Sequence, residues 1–590
     1  MQKLTIKKFY RNYLIEYESY VAILLFLIVG FGLYVNSFSN QMFWDDNDII
    51  LNNNYVKNWK YIGRYFSENL ISGAGLLSDY WRPMLLLTFS VEWHLFKDWA
   101  PGYHFVNTSF HIIDATLLFF ILLLIFKSYW LAVLTALVFL VHPLQTEAVT
   151  YVSGLGDSLS VFFMFSGILF YLKSRIFQKT LLKNTSYLLA VLMYVLALMS
   201  KETAIVMPAF IFIVDFYFLA QNEELSFKDK LKKIGKTIWF FFVLAGAYIL
   251  LRATVLNFKN TFNLYNEENI FTSNFYVRLF TFFRVLTVYF RLLFWPFNLH
   301  MERTVEIATS LNSFSVIFGG LLFLSLLTLA FVQFRQFSVF SFGILWFFIG
   351  LAPTSNLVVP ISGLLYEHWL YLPLVGIFLS LIWIGLEIGK RYSLKKTFLS
   401  IFFVYLIFFS VLTVKQNTIW KDPITFYTYT LKYAPQSYRV INNLGMTYDD
   451  LGNYKQAEML YKRAINLDPF NPVAYHNLGN AYRHMNKKDL AIENYHTAIK
   501  LDPGFTFSYN ALVSIYLEKK DYKSAREILE KYLDYAGLNA DILILLAKIA
   551  VKQEDFNSAL NYLNKALIIE PENQFVKDFI IDVKKLIEIK

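Results

Sequence analysis

From about residue 20 to about residue 415 the chain returns repeatedly to apolar runs of about fifteen to twenty-three residues, and this pattern restricts its fold more than any other feature. As helix, rising about 1.5 Å per residue, such a run can cross about 30 Å of hydrocarbon, and a helix satisfies its backbone N–H and C=O groups within one segment. Composition agrees: 56% apolar and only 17% charged over 590 residues is too apolar for a purely soluble protein. The expected fold class is all-α. Eleven spans are expected, near 20–38, 104–126, 129–145, 155–172, 186–200, 203–219, 237–254, 312–333, 338–354, 366–388 and 397–415. The domains expected are a membrane domain over 1–415, a linker over 416–436 and a repeat domain over 437–590.

With the amino terminus in the cytoplasm, every basic loop between these spans falls inside: "KSY" at 127, "KSRIFQKTLLK" from 173, "FKDKLKKIGK" from 227, "FRQF" at 334 and "GKRYSLKK" from 389. These loops account for the net charge of +10, so no nucleic-acid partner is needed. The opening segment, "MQKLTIKKFYRNYLIEYESY", leads into an apolar run without a small-residue cleavage motif and reads as an uncleaved first span. The expected location is the inner (plasma) membrane, crossed many times. Two apolar segments are read as not crossing: 84–96, short and carrying Glu92 and His94, and 274–297, with Arg278, Arg284 and Arg291 along its length. A buried arginine costs several kcal/mol in lipid, whereas at the interface its head stays in water. Cysteine is absent, which excludes disulfides, thiolate metal sites and a cysteine nucleophile.

After about Val414 charge rises and a period of 34 appears, marked by Pro435, Pro469, Pro503 and Pro571, with Gly537 in the empty register. Leu444, Gly445, Tyr448, Ala457, Tyr461 and Ala464 recur as Leu478, Gly479, Tyr482, Ala491, Tyr495 and Ala498. This is tetratricopeptide spacing, two helices per unit, and four repeats are expected to start near Tyr438, Pro472, Thr506 and Ala540, with a capping helix from about Asn573. Gly445 and Gly479 are expected to let helices approach while tyrosines fill the adjoining space. Asn442, Asn443, Tyr475, Asn477 and Asn510 are the candidate groove residues for an acceptor protein or peptide.

Four polar clusters fall on the outer side in this topology: Asp45, Asp46 and Asp48 with Arg82 further along the same loop; His142, Glu147 and Asp157; Lys201 with Glu202; and Glu367 with His368. Each has a structural explanation, as a neutralised pair, a helix end or a headgroup contact. Adjacent carboxylates are the hardest to explain that way, because they repel. A carboxylate at a membrane surface can take a proton from an attacking hydroxyl, and arginine or lysine can hold a departing phosphate. Asp45 and Asp48 also offer oxygen ligands for a divalent cation, a weak metal signature; no other cofactor is indicated. Neither a phosphate-cradling glycine loop nor a nucleophile elbow is present, which favours a donor already in the bilayer. Two rival readings are a membrane-anchored scaffold whose repeats recruit envelope partners, and a transporter, the latter disfavoured because the polar residues gather at one rim.

The succession "WDDNDIILNN", "WRPMLLLTFSVEWHLF", "YHFVNTSFHIIDA", "HPLQTEAVTYVSGLGDSLS", "LALMSKETAIVMP" and "YEHWLYLPLVG", ahead of the repeats, resembles the transmembrane and tetratricopeptide-repeat-containing O-mannosyltransferases and their bacterial relatives, over essentially the whole chain. The resemblance implies a GT-C-type fold and transfer of a sugar from a polyprenyl-phosphate-linked donor to a hydroxyl, such as a serine or threonine of a protein, on the extracytoplasmic face. It assigns the base to Asp45, with Asp46 as its neighbour, and puts His142, Glu147, Asp157, Lys201, Glu202, Glu367 and His368 in matching motifs. Leu155 and His368 stand where the family usually has arginine, so a phosphate contact is either missing or supplied elsewhere, for example by Arg82 or Arg291. Inversion at the anomeric carbon is the expected course, with the repeats, on the same face, presenting the acceptor.

Overall fold

A computed structural model describes residues 2–220, 226–258, 269–334, 336, 338–361 and 363–589; Arg335, the cation of the basic loop at 334, lies outside them. The described residues are helical with no strand among them, and the chain divides into two compact units, Met1–Tyr429 and Thr430–Lys590.

In the first unit eight described segments are long and apolar enough to cross a membrane: Tyr17–Ser37, Ala100–Phe126, Val152–Ile176, Thr180–Leu198, Glu202–Leu219, Phe227–Ala253, Phe314–Phe334 and Lys395–Trp420. A ninth is possible to count if Tyr129–Val141 and Pro143–Val149, bent by 56°, form one broken span. Eleven is therefore not reached, and the reasons are local. Proline lacks the N–H that a continuing helix needs and clashes with the preceding turn, so Pro143 ends the helix at Val141. Val339–Leu351 has only 13 residues, about 20 Å at 1.5 Å per residue. The following helix, Leu374–Arg391, carries Glu387, Lys390 and Arg391 in its last turns. Phe275–Phe294, one of the two segments read as not crossing, is amphipathic: Val277, Thr281, Val285, Tyr289 and Leu292 are buried on one face. Its arginines stay polar, Arg278 donating to the Thr272 carbonyl at 2.7 Å and Arg284 pairing with Glu306 at 3.2 Å.

The stretch expected as a linker is structured, with a short turn at Thr418–Trp420 and a helix over Pro423–Tyr433. Asn417 ties the two ends of the bundle's sequence together: its amide donates to the Leu33 carbonyl at 2.9 Å, and its oxygen accepts from Thr150 at 2.7 Å.

In the second unit the first helix of each repeat begins at Tyr438, Pro472, Thr506 and Ala540, the four residues the period marks. Ser437, Asn471 and Asn539 cap three of these helices through side-chain oxygens, and Gln574–Ile589 follows as a final helix packed on Phe556–Ile569. A Cβ added to Gly445 would lie 2.7 Å from the Tyr461 ring, and one on Gly479 2.6 Å from Tyr495. The third repeat departs from this pattern in a compensated way: Val513 replaces the glycine and Leu529 replaces the tyrosine, both buried. Bulk moves from one helix to the other at constant fit.

Substituting Gly479→Ala gains about 1 kcal/mol in helix propensity but overpacks a buried ring, which typically costs about 1–3 kcal/mol. We expect net destabilisation of the repeat unit by up to about 2 kcal/mol on those magnitudes, with Gly479→Ala/Tyr495→Leu recovering part of it; chemical denaturation of the full chain checks this through the non-additivity of the two changes.

Candidate active site

Just after the first span, Phe43 packs against Trp420, Phe426 and Tyr427 with ring centroids 6.3, 5.3 and 6.0 Å away, and Trp44 against Phe426 and Tyr427 at 5.5 and 5.6 Å. This aromatic cluster holds Trp44 at φ +61°, a left-handed conformation that costs a non-glycine residue about 1–2 kcal/mol. The chain reverses there, and the two following carboxylates separate. Asp45 is exposed, while Asp46 is 1% exposed.

Asp46 is fully engaged. One oxygen accepts the Ser153 N–H at 2.9 Å and the Ser153 hydroxyl at 2.5 Å, and the other accepts the Phe43 N–H at 3.1 Å. Burial raises its pKa to about 7 against the pull of these three bonds. Asp48 is raised as well, by burial and then by the charge of Asp45. The backbone N–H of Asp45 donates to the Tyr151 hydroxyl at 3.1 Å, so its main chain is tied while the residue is exposed. The adjacent acids are thus a buried anchor and an exposed residue, not two equivalent groups.

Ser153 belongs to a segment that gathers the remaining clusters. A Cβ on Gly154 would lie 2.6 Å from the Glu147 carbonyl oxygen and 2.8 Å from that of Ala148, so only glycine fits this close backbone crossing. Asp157, in the first turn of Leu155–Ile176, accepts from Lys201 at 2.7 Å. The next residue, Glu202, binds Arg82 through both guanidinium Nε and Nη2, the shortest contact being 2.8 Å. Tyr80 lies beside the Arg82 guanidinium at 4.5 Å, and its hydroxyl feels Arg82, Glu202, Tyr366 and Asp45, which places these groups in one region.

Tyr366 opens the fourth cluster. Glu147 accepts from the His368 backbone N–H at 3.0 Å and lies 2.8 Å from its Nδ1, whereas Glu367 pairs with Arg303 at 2.7 Å and accepts the His300 N–H at 3.0 Å. His300 is held neutral, its pKa lowered to about 3 by burial and by Arg303. His368, at the position where arginine is expected, therefore binds the acid of the second cluster.

Two expected pocket residues are placed differently. His142 is wholly buried: its Nδ1 accepts the Leu144 N–H at 3.2 Å, leaving Nε2 to donate to the Leu293 carbonyl at 3.0 Å. It fastens the turn at Pro143 to the Phe275–Phe294 helix and does not reach the rim. Arg291 is exposed and has no side-chain hydrogen bond or ion pair among the described residues, although its charge reaches His300. Sequence reasoning missed Ser153, Arg303 and Arg252. Arg252 is 4% exposed, donates to the carbonyls of Leu256 and Asp79, and its charge reaches Glu202. Ser153 sits within a motif already singled out, whereas nothing around Arg303 in "HMERTVE" announces a buried partner. Among the described residues no group of three or more His, Cys, Asp or Glu is arranged for a metal ion.

Within the repeats, Asn477 donates to Asn442 at 3.1 Å with both buried; Asn443 and Tyr475 are half-buried and Asn510 exposed. His476, not anticipated, lies 3.0 Å from Ser508 and 3.2 Å from Asn480, whose oxygen accepts from Tyr495 at 2.7 Å.

Fold and site together define a polytopic helical membrane protein with charged loops gathered in one region and a separate tetratricopeptide unit. Family models described as tetratricopeptide repeat match residues 472–505 and 516–576, and one described as TPR repeat matches 445–486. The chain is 25% identical over 446 residues to Protein O-mannosyl-transferase F38B6.6 of Caenorhabditis elegans, covering 74% of this chain and 61% of that protein. Against Protein O-mannosyl-transferase TMTC3 of Mus musculus it is 23% identical, covering 66% and 44%, and against TMTC4 of Homo sapiens 23%, covering 73% and 64%. A solved structure of MamA is 26% identical over 25% of this chain and 87% of that one, with a TM-score of 0.23. By sequence the chain is similar to these O-mannosyl-transferases at 23–25% identity over 66–74% of its length. It spans roughly half to two thirds of the length of these relatives.

Two predictions concern the anchors. The folded value of about 7 for Asp46 exceeds the ordinary 3.8, so between these values the native state binds more protons than the unfolded state, and this contribution to stability, full below about 4, is lost as pH rises through about 7. Melting of the detergent-solubilised protein at about pH 5 and about pH 8 should show a decline that Asp46→Asn flattens. Removing Arg303 leaves Glu367 buried without its cation, which should cost about 3–5 kcal/mol for Arg303→Ala, with strong coupling to Glu367→Gln in a double-mutant cycle of denaturation midpoints.

Proposed function

We propose that this protein is a membrane glycosyltransferase that moves a sugar from a polyprenyl-phosphate-linked donor to a hydroxyl acceptor, a serine or threonine of a protein, on the extracytoplasmic face. One observation carries the reading: Asp45 is an exposed acid on a backbone tied to Tyr151, in a region shared with the Arg82–Glu202 pair. The names of the relatives supply the reaction class, mannosyl transfer to protein.

In this reading Asp45 accepts the proton of the acceptor hydroxyl as its oxygen attacks the anomeric carbon, and the bond to the lipid phosphate breaks with inversion. General-base assistance of this kind is worth about 10²–10⁴-fold. Charge then collects on the departing phosphate. Arg291, exposed and without an acid partner among the described residues, is the cation best able to receive it, whereas Arg82, Lys201 and Arg303 are committed to carboxylates and set the local field. A divalent cation at Asp45 and Asp48 would serve the same end by drawing negative charge to the rim. The repeats bind the acceptor and raise its local concentration without touching the chemical step. The buried Asn442–Asn477 bond stiffens the first helices of two successive repeats, where Asn443, Tyr475 and Asn510 would meet an acceptor segment.

Purified protein incubated with a panel of polyprenyl-phosphate sugars and an acceptor peptide should turn over one donor. Asp45→Asn, which preserves shape, should lower the rate by about 10² or more. Turnover of no donor, or an unaffected Asp45→Asn variant, would instead favour a non-catalytic scaffold.

A further inference from the structure

Polar residues do not gather only at the rim. The Ala100–Phe126 helix carries His111 and Asp114 near its midpoint, both 0% exposed. They flank the hydroxyl of Tyr371, 1% exposed, which lies 2.8 Å from His111 Nδ1 and 2.8 Å from Asp114 Oδ2. The far nitrogen of His111, Nε2, is 3.2 Å from the Leu140 carbonyl, and the other oxygen of Asp114 is buried without a partner. Among the described residues no Lys or Arg side chain bonds to any of the three. Tyr34 and Phe139 pack on the imidazole at ring distances of 5.6 and 5.1 Å, and Gln145 donates to the Tyr371 carbonyl. Beyond Asp114, the titratable groups acting most strongly on Tyr371 include Tyr34 and Asp157, the latter already paired with Lys201.

Counting protons in this chain leads to a definite state. A carbonyl only accepts, so His111 Nε2 carries a hydrogen. Were His111 neutral and Asp114 ionised, a single hydroxyl hydrogen would have to serve both of its neighbours. One 2.8 Å contact would then bring two lone pairs together, and an uncompensated negative charge would lie at the middle of a span. One more proton removes both difficulties. Either Asp114 is protonated and donates to Tyr371, which donates to His111, or His111 is the cation and donates to Tyr371, which donates to Asp114. The two forms interconvert by concerted transfer: the Asp114 O–H breaks as the Tyr371 O–H forms, and the original Tyr371 O–H breaks as the His111 N–H forms. Charge and atoms balance, and the triad stays neutral overall in both.

We infer that His111, Tyr371 and Asp114 form an intramembrane proton-binding site that shares one proton across the chain and pins the Glu367–His368 turn, which ends at Tyr371, to the centre of the Ala100–Phe126 helix. The inference is independent of glycosyl transfer.

Its test is spectroscopic and uses the full chain in lipid nanodiscs near neutral pH. Nitrogen NMR of labelled histidine, with His111 assigned through His111→Gln, reads the ring state, and infrared spectroscopy reads the carboxyl. A carboxylic-acid band lost in Asp114→Asn beside a neutral His111, or a doubly protonated His111 that becomes neutral in Asp114→Asn, would each establish the shared proton. Asp114→Asn keeps a donor toward Tyr371 and should fold, whereas Asp114→Leu should lose the pin and lower the melting temperature. Should Asp114→Asn fail to fold, the wild type alone decides: a doubly protonated His111, or a neutral His111 with a buried carboxylic-acid band that is present near neutral pH, supports the shared proton. A neutral His111 beside an ionised Asp114 would overturn the inference.

Discussion

A charge taken into the low-dielectric interior of a helix bundle must be neutralised close by, because the effective penalty for burying an ion is several kcal/mol. That constraint shapes the polar end of this membrane unit. Arg82 finds Glu202, Lys201 finds Asp157 and Arg303 finds Glu367, each partner lying in a different segment of the chain, and Glu147 accepts the His368 backbone N–H. The loops carrying them are consequently drawn together. At the other end of Leu155–Ile176 the same requirement operates through Arg175 and Asp215, 2.5 Å apart, and within the bundle through the proton shared by His111, Tyr371 and Asp114.

Against this background of satisfied pairs, the residues left facing water gain their meaning. Asp45 remains outside because its neighbour Asp46 is held inside by Ser153 and Phe43, and because the aromatic cluster around Trp44 holds the backbone in its reversal. An acid presented on a backbone that cannot shift is preorganised, and preorganised charge is what stabilises a transition state without reorganisation at the moment of reaction. The paired cations serve a different end. With their charges committed to carboxylates, they shape the field around the rim, while Arg291 stays exposed beside His300 and Arg303.

The repeats were legible almost to the residue because their information is local and periodic: small residues, tyrosines and prolines at fixed offsets specify helix pairs whatever surrounds them. Even the third unit obeys the rule, with Val513 and Leu529 exchanging bulk between helices. The membrane unit was legible in outline only. Apolar runs marked the helices, but Pro143 broke one of them, and Val339–Leu351 proved shorter than its apolar run. At the candidate site, the motifs held residues that the structure pairs, Asp157 with Lys201 and Glu147 with His368. They put His142 at the rim, although a histidine before proline can equally bond its own turn, and they did not single out Arg303.

By itself, then, the order of residues determined that the chain is helical, that much of it is apolar enough to span a bilayer, and that it carries a tetratricopeptide unit, since hydrophobic run length and period are properties of neighbours along the chain. Tertiary structure decided which of two adjacent aspartates meets water, which acid each cation neutralises, and where an intramembrane proton must reside. Those outcomes depend on burial and on partners far away in sequence: Asp46 is fixed by Ser153, Glu147 by His368, and Asp114 by Tyr371. Electrostatic energy is set by separation in space, and spacing along the chain does not report it.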